Sequence, residues 1–247
     1  MFWDWVDPFL ARAGAAMNEG LKYQLEQAHK ILFMEGVAED TTRGHLTVKS
    51  ENHIVYIKPW GMGFEEVKAQ EFLGVDLDGN LVDGEGRLHS ELILHLEIYR
   101  RRKDVFSITH VHPFYSILLS SVFAGRMARI SQHGVHFVKG VPLYEFPQLI
   151  NSRQQAEHLA QTLGDRPAVL MKNHGIVVVG GTIEEAMILA IDFEKAAKEH
   201  LLSSLFGSAA EISAEVAEKM NAKIHSMDQY RMLWNYYCRK LGRLRPE

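Results

Sequence analysis

The sequence contains almost no cysteine and no long apolar run. Cys238 is its single cysteine among 247 residues, which excludes an internal disulfide framework and favours a reducing compartment. No stretch approaches the roughly 20 apolar residues that a membrane-spanning helix needs. Residues 1–5 are aromatic but lack the basic segment and long apolar core of a signal peptide. We therefore expect a cytoplasmic protein with no membrane partner.

A strong net charge is also missing. The 27 Lys and Arg residues nearly balance the 31 Asp and Glu residues, which argues against a broad nucleic-acid-binding surface. No internal repeat, low-complexity segment or linker divides the chain, and its length suits one domain with a sizeable core. We predict a single domain over residues 1–247. Residues 1–20 would form an N-terminal arm that packs on a neighbouring subunit, and residues 208–247 a C-terminal helical extension.

The histidines form the clearest chemical pattern. His110 and His112 directly follow the apolar run 105–108, which has strand character, and Pro113 then ends the strand. Because residues i and i+2 of a strand point to the same side, the two imidazoles can reach one point. Imidazole is the commonest protein ligand of a borderline divalent cation, and a catalytic ion needs about three protein ligands plus an open position. Since the chain has 13 histidines, a chance pair of structural histidines is the alternative.

Two further segments could complete such a site. The apolar run 169–171 leads to His174, which is followed by Gly175 and a second apolar run at 176–179. His174 is the candidate third ligand. Glu91 opens an amphipathic helix and would be a fourth ligand or a base beside the metal. The four residues predict a divalent metal site, but their pattern does not choose among zinc, manganese, cobalt and iron.

Periodicity and turn residues give a coarse secondary structure. A capping box is expected at Thr182 and Glu185, a hairpin turn at residues 78–80, and a solvated helix end at the basic run 100–103. The predicted helices cover residues 6–36, 91–102, 113–123, 153–163, 183–206 and 212–241, and the predicted strands cover 46–49, 54–58, 72–77 and 81–82.

Seven short segments between residues 20 and 205 carry a family resemblance. They are Gly44-His45-Leu46-Thr47, Lys58-Pro59-Trp60-Gly61, Asp76-Leu77-Asp78-Gly79-Asn80, Ser90-Glu91, residues 102–105, the His-x-His pair and Asn173-His174-Gly175. In this order they resemble the class II aldolase/adducin-head family, which includes fuculose-phosphate aldolase and ribulose-phosphate 4-epimerase. Each segment is weak alone, whereas the ordered set is specific.

The resemblance implies both a fold and a site. The fold would be α/β, a three-layer α/β/α arrangement with a mainly antiparallel central sheet. The protein would be a cyclic homotetramer with its active sites between subunits. A catalytic divalent cation would be held by His110, His112 and His174, and in the aldolases the residue matching Glu91 is a metal ligand and catalytic acid/base.

The chain departs from the sugar-phosphate members where they bind phosphate. Those members use small polar residues and backbone amides, whereas His45, Trp60 and His89 stand at the corresponding positions here. A phosphate dianion needs room and several N–H or O–H donors. We therefore expect a hydroxylated, carboxylate-bearing, non-phosphorylated small-molecule substrate, with Trp60 as a wall. Its anion partners would be His45, His89 and Arg87, and Ser90 would also contact the substrate. The alternative is that the rings pack structurally while phosphate binds backbone amides.

The second departure from the sugar-phosphate members concerns the proton donor. The aldolases use a tyrosine from a neighbouring subunit, and a rough alignment places His133 there, with His136 as competitor and a structural histidine as alternative. Some members also bring a C-terminal tyrosine into the neighbouring site, which makes Tyr236 or Tyr237 a candidate. The remaining histidines are interpreted as structural; they are His29, His53, His95, His158, His200 and His225.

Together these features predict a metal-dependent carbon–carbon lyase. A three-histidine cation can stabilise the enolate that forms in decarboxylation or retro-aldol cleavage. Glu91 would be the base and His133 the acid. The altered phosphate pocket favours the decarboxylase-type branch of the family. Alternatives are a sugar-phosphate aldolase or 4-epimerase and, less favoured, a non-catalytic adducin-like scaffold, since adducin-type members lack the metal histidines.

Overall fold

The computed structural model describes residues 8–122, 127–207 and 209–244, with side chains described from residue 18 to residue 243 within those ranges. The strands are β1 (His45–Lys49), β2 (Val55–Ile57), β3 (Leu73–Val75), β4 (Leu81–Asp83), β5 (Ser107–Val111), β6 (Leu143–Tyr144), β7 (Ala168–Met171) and β8 (Gly175–Gly180). The helices are α1 (Pro8–Met34), α2 (Leu92–Arg101), α3 (Phe114–Val122), α4 (Gln132–Val135), α5 (Arg153–Leu163), α6 (Ile183–Ser204), α7 (Ala214–Ile224) and α8 (Met227–Leu244).

The strands join into one sheet. Its order is β4-β3-β2-β1-β5-β8-β7-β6, and every neighbouring pair is antiparallel except β6 and β7, which are parallel. β5 lies in the middle, between β1 and β8. The expected mainly antiparallel sheet is therefore confirmed, and the His-x-His strand is central to it.

Helices cover both faces of this sheet. Along β8, Ile176 and Val178 join the core that contains α1 and α6, whereas Val177 and Val179 join the core that contains α2 and α5. This alternation follows from the two-residue period of a strand. A strand buried on both faces reads as a continuous apolar run, as residues 176–179 do. The three-layer α/β/α prediction is confirmed.

β1 has one apolar face and one polar face. Leu46 and Val48 join the core on the α1 and α6 side. His45 and Thr47 therefore point to the α2 side, where both are buried. The His45 ring centre lies 5.2 Å from that of His110 on the neighbouring strand β5.

The predicted final helix over 212–241 is wrong. Two helices, α7 and α8, meet at His225 and Ser226. The Ser226 hydroxyl accepts a hydrogen bond from the Gln229 N–H at 3.4 Å, and Ser213 caps α7 in the same way. A serine that captures a backbone N–H competes with helix continuation, which is why the helical pattern breaks there.

Other boundaries differ locally. The backbone from Pro8 onward belongs to α1, so most of the predicted arm at 1–20 is helical, and residues 1–7 lie outside the described residues. Thr182 caps α6, but the Glu185 carboxylate accepts from the N–H of Gly181 rather than from that of Thr182, so the predicted capping box is half formed. The short α4 was not expected.

The basic run at 100–103 is only partly solvated. Arg100 donates to the Leu77 carbonyl and pairs with Asp78 at 2.9 Å, which fixes the hairpin turn between β3 and β4. Arg102 donates to the Gly164 carbonyl at 2.8 Å. The expectation of a solvated helix end is therefore wrong for these two residues, because the guanidinium groups reach loop carbonyls.

No helix among the described residues is both long and apolar enough to cross a membrane.

Candidate metal centre

Four side chains from three separate segments converge at one end of the central strand β5. Glu91, His110, His112 and His174 each offer one ligand atom, and these atoms lie within 4.8 Å of one another. We call this group the four-residue cluster. His110 lies near the end of β5 and His112 directly after that strand, His174 lies in the turn between β7 and β8, and Glu91 directly precedes α2. The residues proposed from the sequence as metal ligands are thus brought together.

The two β5 histidines are oriented by hydrogen bonds on their outer nitrogens. His110 Nδ1 lies 3.0 Å from the Ile176 carbonyl oxygen, and His112 Nδ1 lies 2.8 Å from Asp40 Oδ2. Both partners accept hydrogen bonds, so both Nδ1 atoms carry the proton. The Nε2 lone pairs consequently face inward, where the two Nε2 atoms are 3.2 Å apart. Such outer partners are typical of metal-ligating histidines.

A tight turn brings His174 to the same point. Asn173 has a positive φ of 53°, and its N–H donates to Ser120 Oγ at 2.8 Å. Gly175 follows because β8 passes very close to β5: a Cβ there would meet the Val111 carbonyl oxygen and lie 2.8 Å from His112 Cδ2. Only glycine lets the turn end beside the His-x-His pair without displacing it.

Glu91 contributes a carboxylate with two distinct oxygens. It precedes α2 as its N-cap residue, and Oε1 accepts a hydrogen bond from the Ile150 N–H at 2.8 Å. Oε2 faces the imidazoles, 3.6 Å from His110 Nε2 and 3.7 Å from His174 Nε2. Burial raises the pKa of Glu91, but the adjacent His110 and His174 outweigh burial and hold that pKa well below its usual range. The carboxylate is therefore ionised.

This donor set fits a divalent cation. Both ring nitrogens of His174 are buried without a hydrogen-bond partner among the described residues, which is costly unless something binds them. Burial lowers the pKa of His112 to about 2, so that its ring is neutral, the form that binds metals. Three imidazoles and one carboxylate match the ligands of zinc and its neighbours.

Two predicted substrate residues lie beside the four-residue cluster. The His45 ring centre is 5.2 Å from that of His110 and 4.8 Å from that of His89. His89 Nε2 lies 3.3 Å from Nζ of Lys58, which is fully buried and also donates to the Thr42 and Met62 carbonyls. Lys58 therefore ties His89 to two loops, and burial lowers the pKa of Lys58 to about 8. The sequence interpretation missed it, although a lysine ending an apolar strand was a usable signal.

The other predicted substrate residues are at the surface. The Arg87 guanidinium carbon lies 4.0 Å from the ring centre of Trp60, and the backbone N–H of Trp60 donates to the backbone carbonyl of Arg87 at 2.8 Å. Trp60 is 52% exposed, and Ser90 is exposed next to Glu91. Trp60 and Arg87 thus stack on each other, and their contact with a substrate stays a prediction.

The comparisons with known proteins place the chain in a family. The profile of the Class II Aldolase and Adducin N-terminal domain matches residues 24–201. The chain belongs to this family. It is 28% identical over 190 residues to 3,4-dihydroxyphthalate decarboxylase of Arthrobacter keyseri, covering 72% of this chain and 76% of the relative. It is also 32% identical over 162 residues to L-fuculose phosphate aldolase of Methanocaldococcus jannaschii, and that alignment covers 66% of this chain and 86% of the relative.

A solved structure agrees on the class II aldolase fold. L-fuculose 1-phosphate aldolase from Glaciozyma antarctica PI12 superposes with a TM-score of 0.83 over 93% of this chain and 91% of that chain, at 24% sequence identity. The homologues of this chain therefore include lyases of two kinds, an aldolase and a decarboxylase.

The predicted proton donors lie apart from the four-residue cluster within this chain. His133 Nδ1 is 2.9 Å from Glu199 Oε1, and His136 Nε2 is 3.2 Å from Asp192 Oδ2; both acidic residues belong to α6. The role of His133 as a proton donor in the active site of a neighbouring subunit stays a prediction.

The C-terminal tyrosines also lie on a helix away from the cluster. Tyr236 is 49% exposed, whereas the neighbouring Tyr237 is buried and its hydroxyl accepts from Lys195 Nζ at 3.4 Å. Of the two, Tyr236 is the one whose ring is available to a second subunit. Its catalytic role stays a prediction.

His95 is the residue that the sequence interpretation most undervalued. It is fully buried on α2, with Nε2 2.7 Å from His45 Nδ1 and Nδ1 2.8 Å from Thr47 Oγ1. Burial lowers its pKa well below the ordinary value. Its position one helical turn after Glu91 was the available signal.

Proposed function

We propose that this protein is a divalent-metal-dependent carbon–carbon lyase that acts on a hydroxylated, carboxylate-bearing substrate without phosphate. The observation that carries the proposal is the convergence of one carboxylate and three imidazoles. Glu91 Oε2 lies 3.6 Å from His110 Nε2 and 3.7 Å from His174 Nε2, and His112 completes the group. When bound, a cation (zinc, manganese, cobalt or iron) would act as a Lewis acid that stabilises negative charge on a substrate oxygen.

The protein groups would divide the remaining work. His110, His112 and His174 would hold the cation. The Ile150 amide fixes one oxygen of Glu91, so the other is free to take a proton from a substrate hydroxyl and to return it. When the carbon–carbon bond breaks, its electron pair remains on the substrate as an enolate, and a proton must be added to complete the product. We assign that proton to His133 of a neighbouring subunit, with Tyr236 as an assisting group.

Two considerations support the substrate class. His45, Trp60 and His89 are bulky where sugar-phosphate enzymes have small donors, and His89 Nε2 is already occupied by Lys58. The decarboxylase relative is named for a dihydroxylated aromatic dicarboxylate. The aldolase relative, at 32% identity, favours the alternative of a sugar-phosphate aldolase or epimerase. We also propose a cytoplasmic homotetramer built from a single domain, with active sites between subunits.

The test compares the two substrate classes on metal-loaded protein. Carbon dioxide release from 3,4-dihydroxyphthalate and dihydroxybenzoates is measured beside aldol cleavage of L-fuculose 1-phosphate. We expect turnover of a carboxylate substrate, retention of about one divalent ion per chain, and loss of both in His110→Ala and His174→Ala. His53→Asn is the matched control, because His53 is exposed with a positive φ that asparagine tolerates.

Two other outcomes would support the alternative functions. Cleavage of the sugar phosphate alone would establish the aldolase alternative. A protein that binds no ion, and in which His110→Ala changes no property, would be an adducin-like scaffold.

A further inference from the structure

A chain of buried hydrogen bonds runs from α2 through β1 to the edge of the four-residue cluster. Tyr99 Oη lies 2.8 Å from Thr47 Oγ1, and Thr47 Oγ1 lies 2.8 Å from His95 Nδ1. His95 Nε2 then lies 2.7 Å from His45 Nδ1. All four side chains are at most 1% exposed. The chain ends at the His45 ring, whose centre is 5.2 Å from that of His110.

Such a chain can be polarised in two directions. In the first, Tyr99 donates to Thr47, Thr47 donates to His95 Nδ1, and the His95 Nε2–H donates to His45 Nδ1. In the second, every proton is reversed, and Tyr99 must donate to the Phe106 carbonyl. The first direction leaves the proton of a neutral His45 on Nε2, whereas the second leaves a lone pair there.

The distances decide between the two directions. The three contacts of 2.7 to 2.8 Å are common to both directions, so the remaining partner of Tyr99 decides. The second depends on the contact from Tyr99 Oη to the Phe106 carbonyl at 3.4 Å, beyond the usual 2.5–3.0 Å of an O–H···O bond. That carbonyl already accepts from the Lys49 N–H at 2.8 Å. A buried tyrosine hydroxyl that cannot donate is costly, so the first direction is favoured.

We infer that Tyr99, Thr47 and His95 are positioning residues that fix His45 as an N–H donor at Nε2, and that this donor selects substrates with an acceptor oxygen beside the four-residue cluster. Nδ1 is engaged by His95, so Nε2 is the only ring nitrogen that a substrate can use. A carboxylate oxygen accepts such a bond, whereas a second donor facing Nε2 would be rejected. The identity of the acceptor as a substrate carboxylate rests on the proposed function.

The surroundings favour this role over simple packing. Neighbouring contacts between the sheet and α2 are apolar, with Val55, Ile57 and Ile98 buried in the same core. Apolar residues at 47 and 95 would pack there without burying polar atoms. A fully satisfied buried network instead enforces one arrangement, here the tautomer of His45.

The first measurement reads the tautomer without any ligand. Nitrogen-15 NMR of histidine-labelled protein, zinc-loaded and metal-free, distinguishes a protonated from an unprotonated Nε2, with His45→Gln assigning the resonance. We expect Nε2–H in the wild type. Thr47→Val removes the donor to His95 and should populate both tautomers. Tyr99→Phe should weaken the preference for Nε2–H less than Thr47→Val does, because the Thr47 hydroxyl can still donate to His95 but no longer accepts from Tyr99.

Ser107→Ala is the matched control. Ser107 is equally buried and its hydroxyl donates to the Thr47 backbone carbonyl at 2.9 Å, outside the chain. It should keep the wild-type tautomer. Protonation of wild-type His45 at Nδ1, or an unchanged tautomer in Thr47→Val, would overturn the inference.

The second measurement reads selectivity. Calorimetry gives the Kd of the zinc-loaded protein for 3,4-dihydroxybenzoate and for catechol, which differ only by the carboxylate. Thr47→Val should reduce the preference for the carboxylate by about tenfold, the effect of losing one charge-assisted hydrogen bond, and Ser107→Ala should not. If the wild type binds both ligands equally, the proposed substrate class is wrong. The tautomer measurement then still tests whether the hydrogen-bond chain fixes the proton of His45. A preserved preference in Thr47→Val, despite a changed tautomer, would overturn the selective role of His45.

Discussion

Asp40 and His112 form a carboxylate–imidazole pair, with Asp40 Oδ2 2.8 Å from His112 Nδ1. The pair joins the loop after α1 to the end of β5, residues 72 positions apart in the chain. It fixes the proton of His112 on Nδ1 and turns Nε2 toward His110. Carboxylates in this position increase the basicity of a metal-ligating histidine.

Replacing Asp40 by alanine should therefore weaken metal binding without removing a ligand. We expect zinc affinity to fall about 10- to 100-fold, measured by competition with a chromophoric chelator. Asp165→Ala is the control, because the Asp165 side chain is 80% exposed and lies away from the four-residue cluster. Equal affinities in Asp40→Ala and wild type would show that the pair does not orient the ligand.

Glu91→Gln separates a base from a ligand. Glutamine keeps an oxygen that can accept the Ile150 N–H, so α2 should start as before, whereas the charge facing the imidazoles is lost. We expect kcat to fall by about 10²- to 10⁴-fold if Glu91 transfers protons. Zinc affinity, measured on the same variant, falls as well only if Glu91 is also a ligand. The partly exposed Glu157→Gln on α5 should leave both quantities unchanged, and wild-type kcat in Glu91→Gln would refute the base assignment.

His29 should make the protein less stable in mild acid. Its ring is fully buried beside Phe64 and Phe72, its Nδ1 donates to the Leu25 carbonyl at 2.7 Å, and burial lowers its pKa from 6.5 to about 3. Between these two pH values the unfolded chain binds a proton that the folded protein does not. The contribution of a neutral His29 is thus complete above pH 6.5 and decreases by about 1.4 kcal/mol per pH unit as the pH falls toward 3.

His29→Leu isolates this contribution. The free energy of unfolding in urea, compared between pH 7 and pH 5, should depend less steeply on pH in His29→Leu than in wild type. Other buried histidines are present in both proteins and cancel in the difference. His53→Asn, which removes an exposed histidine, should show the wild-type slope. Parallel pH curves for wild type and His29→Leu would contradict the prediction.

An apolar stripe on α3 is the surface on which we expect subunits to meet. Phe114, Leu118 and Val122 are 70%, 42% and 61% exposed at four-residue spacing, and α3 begins directly after His112 and Pro113. Exposed apolar patches of this kind mark interfaces. The double variant Phe114→Glu with Leu118→Glu should dissociate the predicted homotetramer in sedimentation velocity. Gln161→Glu, on the opposite layer, should not, and a monomeric wild type would refute the assembly itself.

The sequence determined more of the candidate centre than of its surroundings. Two histidines at i and i+2 before a proline, and a third at the end of a second apolar run, are local patterns, and local backbone periodicity controls where such side chains point. The mainly antiparallel character of the sheet followed from the resemblance to a known family rather than from periodicity, and the strand order came only from the structure. The break at Ser226 was missed because the capping serine and the helical pattern compete over one or two residues.

Only the tertiary structure decided the partners. Asp40 meets His112 across 72 residues, and His45 meets His95 across 50 residues, because α2 and the loop after α1 pack on particular strands. The same packing anchored one oxygen of Glu91 on the Ile150 N–H and turned the other toward His110 and His174. Side-chain chemistry along the chain specifies which groups can bind a cation. The three-dimensional packing sets which nitrogen carries each proton, because hydrogen bonds between distant segments have no signature in a local pattern.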